Sequence, residues 1–324
     1  MPFTAFRIHD DEPRNRIETI ETGDLRAGDT LVKVTYSGLN YKDALAVTNT
    51  GKIIRDFPMV PGIDYAGTVI ESEHFAPGTE VLLTGWGVGE RHDGGLAGVA
   101  SAKAKWLLPL PAGLSARHAM ALGTAGLTAM LAVMAIEDGG VTPASGPIAV
   151  TGAGGGVGGI AIKVLAGLGY DVHAVSGRPE QAERLKALGA STVVDRSELA
   201  RDAKPLEAGI WAGAVDAVGG QMLSTILATC QPGAVVTAMG NAGGIGLKTT
   251  VFPFILRGVR LQGIDSVFAP LDKRAAAWAR LATAVPEASL EGSIEEIGLE
   301  GVEDACQRLV AGQVAGRILV RLAP

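Results

Sequence analysis

The sequence is poor in cysteine and has no excess of positive charge, and each shortage excludes a class of protein. Only two cysteines, Cys230 and Cys306, occur in 324 residues, so neither a disulfide framework nor a four-cysteine structural zinc site is possible. With 28 Lys and Arg against 34 Asp and Glu, the net charge is −6. A mildly acidic chain has no general attraction for nucleic acid or for an anionic membrane. We therefore expect neither as a partner, and any anionic ligand needs a local site.

Apolar residues, by contrast, are plentiful enough for a sizeable core. They make up 47% of the chain, and 45 residues are glycine. A chain of 324 residues corresponds to about two domains of roughly 150 residues each. The segment Met1–Pro13 carries acids where a secretory signal would need an apolar stretch. We expect a soluble, cytoplasmic protein of two domains.

One uncharged run, Ala119–Ile136, reaches the lower length limit of a membrane span. Its Ala, Gly and Thr content makes the run only weakly hydrophobic. Leu127, Met130, Leu131 and Met134 repeat at the spacing of one helix face. We therefore predict a helix packed in the protein core.

The pattern of strands and helices divides the chain near Leu114. Earlier residues form short strands with Pro-Gly turns, which is typical of a compact β domain. These strands are predicted at Thr30–Tyr36, Asp64–Glu71 and Glu80–Thr84. From Leu114 to Ile264 strands alternate with helices, which predicts a parallel sheet covered by helices on both faces. The strands are predicted at Pro147–Thr151, Tyr170–Ser176, Thr192–Val194, Ala214–Val218, Ala234–Gly240 and Val259–Ile264, and helices at Gly159–Leu168, Pro179–Leu188 and Asp272–Ala284, before a last strand at Arg317–Leu322.

A glycine-rich turn, Gly152–Gly159, connects a short apolar strand to a nearly uncharged helix. Phosphate groups need exposed N–H donors, the positive end of a helix and backbone without a Cβ atom in the way. This turn supplies all three, and its place between strand and helix predicts a dinucleotide site. Two registers of the fingerprint fit the turn equally well. They are Gly154, Gly156 and Gly159, or Ala153, Gly155 and Gly158.

The end of the following strand predicts the cofactor. An NAD site usually carries Asp or Glu there, to bind the ribose hydroxyls. This chain has Val175-Ser176-Gly177-Arg178 and no acid. A carboxylate would repel a 2′-phosphate, whereas a guanidinium group and a hydroxyl would bind it. The sequence therefore predicts NADPH, with the alternative that Arg178 only caps an exposed loop.

The two segments that could carry a catalytic zinc lack its ligands. Gly38–Asp43 contains no cysteine, and Pro61–Gly67 has Gly-Ile-Asp where a zinc enzyme would carry Gly-His-Glu. Without a Lewis acid, polarising a ketone is difficult. Reduction of an activated C=C bond is easier, because the charge delocalises onto a carbonyl that neutral donors can hold. We predict no metal and hydride addition to a β-carbon.

Several motifs together resemble a known family over nearly the whole chain. They are NYKDAL, PGIDYAGTV, GTAGLTA, TGAGGGVGG, LKALGAS, VDAVGG and FPFILRGVRLQGIDSV. The chain resembles the medium-chain dehydrogenase/reductase superfamily and its zinc-free quinone-oxidoreductase branch. The VSGR loop combined with the last motif is similar to the acrylyl-CoA reductase (NADPH) group.

The resemblance implies a fold, a reaction and a set of site residues. It implies a GroES-like β-rich catalytic domain over 1–121, a Rossmann NADPH-binding domain over 122–265 and a return to the catalytic domain over 266–324. It also implies a homodimer, an active site in the interdomain cleft and reduction of acrylyl-CoA to propionyl-CoA. The expected cofactor contacts are Tyr41, Gly154, Gly155, Gly156, Val157, Gly158, Ser176, Gly177, Arg178, Arg196, Gly240, Ile264 and Ser266.

Tyr41 is the candidate catalytic residue. Its neutral phenol could donate a hydrogen bond to a developing enolate or position the nicotinamide, and the alternative is a packing tyrosine. We expect Asn40 and Asp43 to fix a local loop, Asp64 to bind nearby backbone and Lys42 to be solvated. Asp216 is expected to have a structural role at a strand end. Both cysteines are expected to be inert.

Two other functions remain open at this point. A general NADPH:quinone or enone reductase would have the same fold and cofactor site. A non-catalytic NADPH-binding protein is the alternative of another class. Turnover of an enoyl thioester excludes the second, and comparison of enoyl thioesters with quinones separates the first.

Overall fold

The structure, a computed structural model of the chain, describes residues 1–322. Its strands are β1 (Pro2–Ile8), β2 (Asn15–Glu21), β3 (Thr30–Leu39), β4 (Asp64–Ser72), β5 (Glu80–Thr84), β6 (Val99–Ala102), β7 (Leu108–Pro109), β8 (Ile148–Val150), β9 (Val172–Ser176), β10 (Thr192–Asp195), β11 (Trp211–Asp216), β12 (Cys230–Ala238), β13 (Arg260–Gly263), β14 (Ile294–Ile297) and β15 (Arg317–Arg321). Its helices are α1 (Tyr41–Val47), α2 (Ala116–Asp138), α3 (Gly156–Gly167), α4 (Ala182–Ala187), α5 (Gly220–Ala228), α6 (Phe252–Arg257), α7 (Leu271–Ala284) and α8 (Val302–Val310).

The chain folds into two compact units. Unit 1 contains Met1–Thr124, Val267–Ala282 and the chain from Pro286 onward. Unit 2 contains Ala125–Ser266 and Thr283–Val285. Each predicted strand and helix lies close to an observed one, so the α/β pattern expected from the sequence is present in both units.

Unit 2 is built on a six-stranded parallel sheet in the order β10-β9-β8-β11-β12-β13. The chain enters at the middle strand, runs outward to one edge and then returns to build the other half. This is the strand order of the doubly wound dinucleotide-binding fold, which confirms the predicted Rossmann sheet. Ile148, Ala149 and Val150 have no exposed surface, as expected for a strand covered on both faces. Because all six strands are parallel, their carboxyl ends lie at one edge.

Unit 1 is built on a seven-stranded sheet in the order β14-β15-β3-β4-β5-β7, with β6 also paired to β3. Its pairs are antiparallel except β14 with β15. Along β3 the residues from Thr30 to Val34 alternate between buried and more exposed positions, as a strand with one covered face requires. The last strand, β15, pairs Ile318 with Leu39, so it lies beside the strand that leads into Tyr41.

Helix α2 contains the uncharged run that approached the length of a membrane span. By length and composition alone it could cross a membrane, but 83% of its most apolar 18-residue window is buried in the protein. Its backbone breaks at Gly123, where φ is 53° and ψ is −154°. The continuous part after the break is about 15 residues, roughly 22 Å at 1.5 Å per residue, which is shorter than a bilayer core. Helix α2 is a core helix, as the spacing of its apolar residues predicts.

The elements that sequence patterns missed are mostly short. The hairpin β1–β2, the strands β6, β7 and β14 and the helices α1, α5, α6 and α8 were not predicted. The predicted helix Pro179–Leu188 is divided into a 3-10 turn at Pro179–Gln181 and α4. The expected loop at Asn40–Asp43 is wrong, because the chain there begins α1.

Candidate active site

The packing of the glycine-rich turn between β8 and α3 shows at which positions a side chain would not fit. A Cβ atom at Gly158 would lie 2.8 Å from the Cα of Ala153 and would overlap the carbonyl oxygen of Gly152. A Cβ atom at Gly159 would meet nothing closer than 3.6 Å, at Leu188. Gly158 therefore allows the helix to pack against the turn, which is the role of the third glycine in the fingerprint. Of the two registers, the structure selects the one that ends at Gly158.

The same turn presents the start of α3 to the sheet edge. Gly152 adopts a left-handed conformation with φ of 60°, and the N–H of Gly155 donates to its carbonyl oxygen over 2.9 Å. Helix α3 begins at Gly156, and Gly155 caps it without a side chain. The first N–H groups of a helix have no acceptor within that helix. Together with the helix dipole, they form a site suited to a diphosphate.

Two side chains that the sequence did not single out hold this turn. A Cβ atom at Gly154 would overlap the side-chain amide of Gln181, so that amide lies directly against the turn. Arg184 donates from Nη1 to the carbonyl oxygen of Gly154 over 3.4 Å. Burial lowers the pKa of the Arg184 guanidinium, which nevertheless adds a positive charge beside the turn. Both residues lie in a helical segment that resembles any surface helix, so the sequence carried no signal for them.

The predicted adenosine end of the site lies at the adjacent strand ends. Ser176 pairs with Asp195 across β9 and β10, and Ser176 Oγ accepts from the N–H of Arg178 over 3.1 Å. A Cβ atom at Gly177 would lie 3.4 Å from Nε of Arg196. Arg178 and Arg196 are both exposed. The structure therefore places Ser176, Arg178 and Arg196 at one edge of the sheet, where a hydroxyl and two guanidinium groups can bind a 2′-phosphate.

Asp195, at the end of β10, is an acid close to these residues, and its carboxylate is bound within its own turn. Its carboxylate accepts from the backbone N–H and the hydroxyl of Ser197 over 2.7 and 2.6 Å. These hydrogen bonds lower the pKa of Asp195. No acid stands at the end of β9 itself, so the feature that favours NAD is lacking at that position.

The central strand ends are braced by a buried carboxylate. Asp216 accepts from the hydroxyl of Thr151 over 2.7 Å and from the N–H of Gly219 over 2.8 Å, the structural role expected for it. Burial raises its pKa. A Cβ atom at Gly240 would overlap the backbone carbonyl of Ala217. Gly240 therefore lets two strand ends approach closely at the predicted cofactor edge.

The last members of the predicted cofactor set follow β13. The N–H of Ile264 donates to the carbonyl oxygen of Ala238 over 3.0 Å, which extends the sheet by one residue. Ser266 Oγ accepts from the hydroxyl of Thr128 on α2 over 2.8 Å. Both residues are half-buried and lie at the carboxyl end of the sheet. The structure thus places all predicted cofactor residues except Tyr41 along one edge of unit 2.

Tyr41 belongs to unit 1, where it is the first residue of α1 and is 54% exposed. The start of this helix is fixed by Asp43, which is 1% exposed. Asp43 accepts from the N–H of Asn40 over 2.9 Å and from the N–H groups of Gly62 and Ile63 over 3.1 and 2.9 Å. Tyr41 is therefore an exposed phenol on a rigidly held helix end rather than a packed core residue.

Asp64 is the centre of a network next to the start of α1, in which Asp64, Asn40 and Arg317 are buried and Thr124 is half-buried. It accepts from the N–H of Thr124 over 2.6 Å, from the hydroxyl of Thr124 and from Nδ2 of Asn40 over 2.8 Å. Arg317 donates to Asn40 Oδ1 over 3.2 Å and to Ala121 O over 3.1 Å, and its Nη2 lies 4.0 Å from Asp64 Oδ2. Burial raises the pKa of Asp64 and lowers that of Arg317. The sequence pointed to Asp64 but not to Thr124 or Arg317.

The two segments where a zinc enzyme would carry its ligands, Gly38–Asp43 and Pro61–Gly67, are therefore in contact in unit 1. Their contact is the hydrogen bond between Asn40 and Asp64 rather than a shared metal ion. Among residues 1–322, no cluster of three or more His, Cys, Asp and Glu side chains is arranged to hold a metal ion. Lys42 forms an ion pair with Glu90 at 3.2 Å, and its side chain is 36% exposed, so it is partly solvated. Burial raises the pKa of Cys230 to about 12, which leaves this thiol protonated and inert as expected.

The buried carboxylate of Asp43 predicts a pH-dependent stability. Burial raises its pKa from the ordinary 3.8 to about 7. The folded state then holds a proton that the unfolded state has lost, so stability present below pH 4 is lost as the pH rises towards 7. We expect the free energy of unfolding of the wild type, minus that of Asp43→Asn, to fall by about 2–3 kcal/mol between pH 5 and pH 8.

Urea unfolding followed by tryptophan fluorescence measures this difference. Trp86, Trp106 and Trp278 lie in unit 1 and report mainly on it. An equal difference between the two proteins at pH 5 and at pH 8 would show that Asp43 is ionised in the folded state throughout this range.

Comparison with protein families agrees with the two-unit architecture. Residues 26–112 match the alcohol dehydrogenase GroES-like domain, and residues 156–282 match the zinc-binding dehydrogenase family. A GroES-like unit and a Rossmann unit in one chain define a medium-chain dehydrogenase/reductase. The match to the second family concerns its fold, since the zinc ligands are lacking in the described residues.

More similar relatives narrow the classification. The chain is 54% identical over 308 residues to the probable acrylyl-CoA reductase AcuI of Escherichia coli, covering 94% of this chain and 95% of that one. It is 50% identical to the acrylyl-CoA reductase AcuI of Ruegeria pomeroyi, covering 98% of each. The chain belongs to the acrylyl-CoA reductase group of the medium-chain dehydrogenase/reductase superfamily.

Two solved structures are similar over their full length. The yhdH oxidoreductase of Salmonella enterica in complex with NADP has a TM-score of 0.96 and 51% identity, covering 99% of this chain and 100% of that one. The protein yhfP of Bacillus subtilis with NAD bound has a TM-score of 0.95 and 42% identity, with the same coverage. The yhdH structure thus contains NADP and the yhfP structure contains NAD. We expect the residues at the ends of β9 and β10 to distinguish the two cofactors.

Proposed function

We propose that this chain reduces the C=C bond of acrylyl-CoA to give propionyl-CoA, with NADPH and without a metal. The observation that carries the proposal is the sheet edge of unit 2. A phosphate-binding helix start there lies beside two strand ends that carry Arg178 and Arg196 and no acid at the end of β9. The relatives named as acrylyl-CoA reductases supply the substrate.

We propose that different groups of these residues bind different parts of the NADPH molecule. The N–H groups from Gly155 to Gly158 bind the diphosphate, and Ser176, Arg178 and Arg196 bind the 2′-phosphate. Gly240, Ile264 and Ser266 lie towards the nicotinamide. We propose 1–121 and 266–324 as the catalytic domain and 122–265 as the cofactor domain.

The reaction needs a hydride and a means to hold negative charge. NADPH supplies the hydride from C4 of its nicotinamide to the β-carbon of the thioester. Tyr41 donates a hydrogen bond to the thioester oxygen, on which negative charge develops as the C=C bond is reduced. Solvent then gives a proton to the α-carbon. Asp43 and Asn40 hold the helix end that orients the phenol.

Removal of the Tyr41 hydroxyl tests its chemical role. One hydrogen bond to a developing charge contributes about 2–3 kcal/mol, so Tyr41→Phe should lower kcat for acrylyl-CoA about 30- to 100-fold. The Kd for NADPH should change less than about threefold, because the ring remains. Stopped-flow turnover and fluorescence titration measure the two quantities. An unchanged kcat/KM would show that the phenol of Tyr41 has no chemical role.

An assay of NADPH oxidation against several acceptors tests the proposed function. We expect the highest kcat/KM with acrylyl-CoA, lower values with longer enoyl-CoA thioesters and the lowest with simple quinones. A higher kcat/KM with quinones would favour the general quinone reductase. Absence of oxidation with every acceptor, despite NADPH binding, would favour a non-catalytic NADPH-binding protein.

We also propose that the protein is a cytoplasmic homodimer. Unit 2 exposes an unusually apolar surface around α6, formed by Ile245, Leu247, Val251, Phe252, Ile255 and Leu256. A surface of this kind is rare on a monomer. The adjacent edge strand β13 is largely exposed and pairs on one side only, which leaves it open to a second copy. Sedimentation equilibrium tests this, and a monomer at micromolar concentration would contradict it.

A further inference from the structure

The loop after β5 contains a tryptophan in an unusual backbone conformation. Trp86 has a φ of 58°, in the left-handed region. For a bulky residue that conformation is strained and persists only where its surroundings impose it. Such residues concentrate at functional sites. The conformation of Trp86 therefore needs a reason.

The surroundings of Trp86 fix its ring firmly. Its N–H donates to the carbonyl oxygen of Val267 over 3.1 Å. The guanidinium carbon of Arg274 lies 5.0 Å from the ring centroid, which is within the range of a cation–π interaction. Arg274 is 1% exposed and also donates to Thr84 Oγ1 over 2.9 Å and to Val267 O over 2.8 Å. The buried Arg274 guanidinium therefore contacts the Trp86 ring while it also binds the Val267 carbonyl and the Thr84 hydroxyl.

A second aromatic ring continues this surface to the solvent. Phe268 is 55% exposed and packs edge-to-face against Trp86, with ring centroids 6.2 Å apart. The indole N–H of Trp86 is buried and has no acceptor among residues 1–322. Packing and the cation–π contact, rather than a hydrogen bond of that N–H, therefore set the ring's position. The two rings form an apolar wall that is partly open to solvent, which we call the aromatic wall.

The aromatic wall is connected to the helix end that carries Tyr41. The N–H of Gly85 donates to the carbonyl oxygen of Ile63 over 3.3 Å, and the N–H of Ile63 donates to Asp43 in the first turn of α1. Glu90, in the same loop, forms an ion pair with Lys42 at 3.2 Å. The loop that carries Trp86 is therefore connected to Lys42 and, through Ile63, to Asp43, and both of these residues lie in the first turn of α1 beside Tyr41.

We infer that the aromatic wall, Trp86 with Phe268, is the acyl-binding surface of this enzyme and limits the length of the acyl chain that it reduces. This inference rests on the proposed reduction of an enoyl-CoA thioester. An acryloyl group is short, flat and apolar beyond its carbonyl, so it suits an aromatic surface that excludes water. Further methylene groups would have to displace a ring that Arg274 and Val267 hold in place.

Truncation of either ring should change chain-length preference more than cofactor binding. One methylene in a fitted apolar pocket changes kcat/KM about 10- to 200-fold. In Trp86→Ala we expect the ratio of kcat/KM for hexenoyl-CoA to that for acrylyl-CoA to rise at least about tenfold. Phe268→Ala should shift it in the same direction. The Kd for NADPH, measured by fluorescence titration, should stay within about twofold of wild type.

Trp106→Ala is the matched control. Trp106 is also a half-buried tryptophan of unit 1, packed edge-to-face on His92 with ring centroids 5.2 Å apart. Its removal should leave the selectivity ratio unchanged. Trp86→Phe, which keeps an aromatic ring, should restore most of the preference for acrylyl-CoA.

The outcomes separate the inference from the function on which it rests. If the wild type reduces no enoyl-CoA, the proposed function is wrong. If the wild type reduces acrylyl-CoA and neither Phe268→Ala nor Trp86→Ala alters the ratio, the aromatic wall is not the acyl-binding surface. Should Trp86→Ala fail to fold, the exposed Phe268 still gives the answer, because its truncation leaves the core intact.

Discussion

Replacement of Gly158 by alanine should weaken NADPH binding about 10- to 100-fold, whereas Gly159→Ala should leave it almost unchanged. The added Cβ atom at Gly158 would overlap the carbonyl oxygen of Gly152 and lie 2.8 Å from the Cα of Ala153. Both neighbours are backbone and cannot rotate away. The helix start must then move away from the turn, which removes the N–H groups that bind the diphosphate.

Gly159 provides a control one residue away in the same helix. Its Cβ atom would make only an ordinary contact of 3.6 Å with Leu188. Alanine is also favoured over glycine inside a helix by about 1 kcal/mol, so Gly159→Ala should melt at the wild-type temperature or slightly above. Fluorescence titration with NADPH gives both Kd values, and circular dichroism confirms that each variant is folded. Equal effects of the two substitutions would favour the other register, Gly154, Gly156 and Gly159.

The second large effect concerns the choice between the two nicotinamide cofactors. Arg178→Ala should raise KM for NADPH about 10- to 100-fold, because a hydrogen bond to a charged phosphate contributes about 1.5–3 kcal/mol. KM for NADH should change less than about twofold, since NADH has no 2′-phosphate to lose contact with. Steady-state kinetics with each cofactor at saturating acrylyl-CoA measure both values.

Arg196 should share this role, and its variant should behave in the same way. The side chain of Arg196 lies against Gly177, one residue before Arg178. Because both guanidinium groups are proposed to bind one phosphate, the effects of the two substitutions should not be additive. Lys186→Ala removes an equally exposed positive charge of α4, one that pairs with Glu183 at 3.0 Å, and serves as the control. If KM for NADPH and KM for NADH rose equally in Arg178→Ala, Arg178 would only cap a loop and would not bind the 2′-phosphate.

The phosphate-binding turn could be predicted from the sequence because its elements are local. A strand, a run of glycines and a helix follow one another within about 20 residues, and the Arg-containing loop ends the next strand. The choice of register could not be predicted. It depends on which glycine faces the carbonyl of Gly152, and that is a property of three-dimensional packing.

The network beneath Tyr41 illustrates what a single sequence does not contain. Asp64 and Arg317 are brought together only when β15 pairs with β3, and no local pattern connects residues so distant in the chain. Helix α1 was missed because seven residues are too few for a clear helical period. Asn40 gave the one local signal, a capping residue three positions before an acid, and it was interpreted as part of a loop.

The aromatic wall was missed for a similar reason. Trp86 stands between two glycines, a setting that suggests a turn and nothing more. Its support comes from Arg274 and Val267, nearly two hundred residues later. A tryptophan with positive φ becomes visible only in the folded chain, and there it indicates a functional surface.

A crystal structure of the protein with NADPH would show whether the glycine-rich turn binds the cofactor. We expect the diphosphate against the amide groups of Gly155–Gly158 and the 2′-phosphate within hydrogen-bonding distance of Ser176, Arg178 and Arg196. We also expect the nicotinamide towards Ile264 and Ser266. A dinucleotide bound elsewhere, with the glycine-rich turn empty, would show that this turn is not the cofactor site.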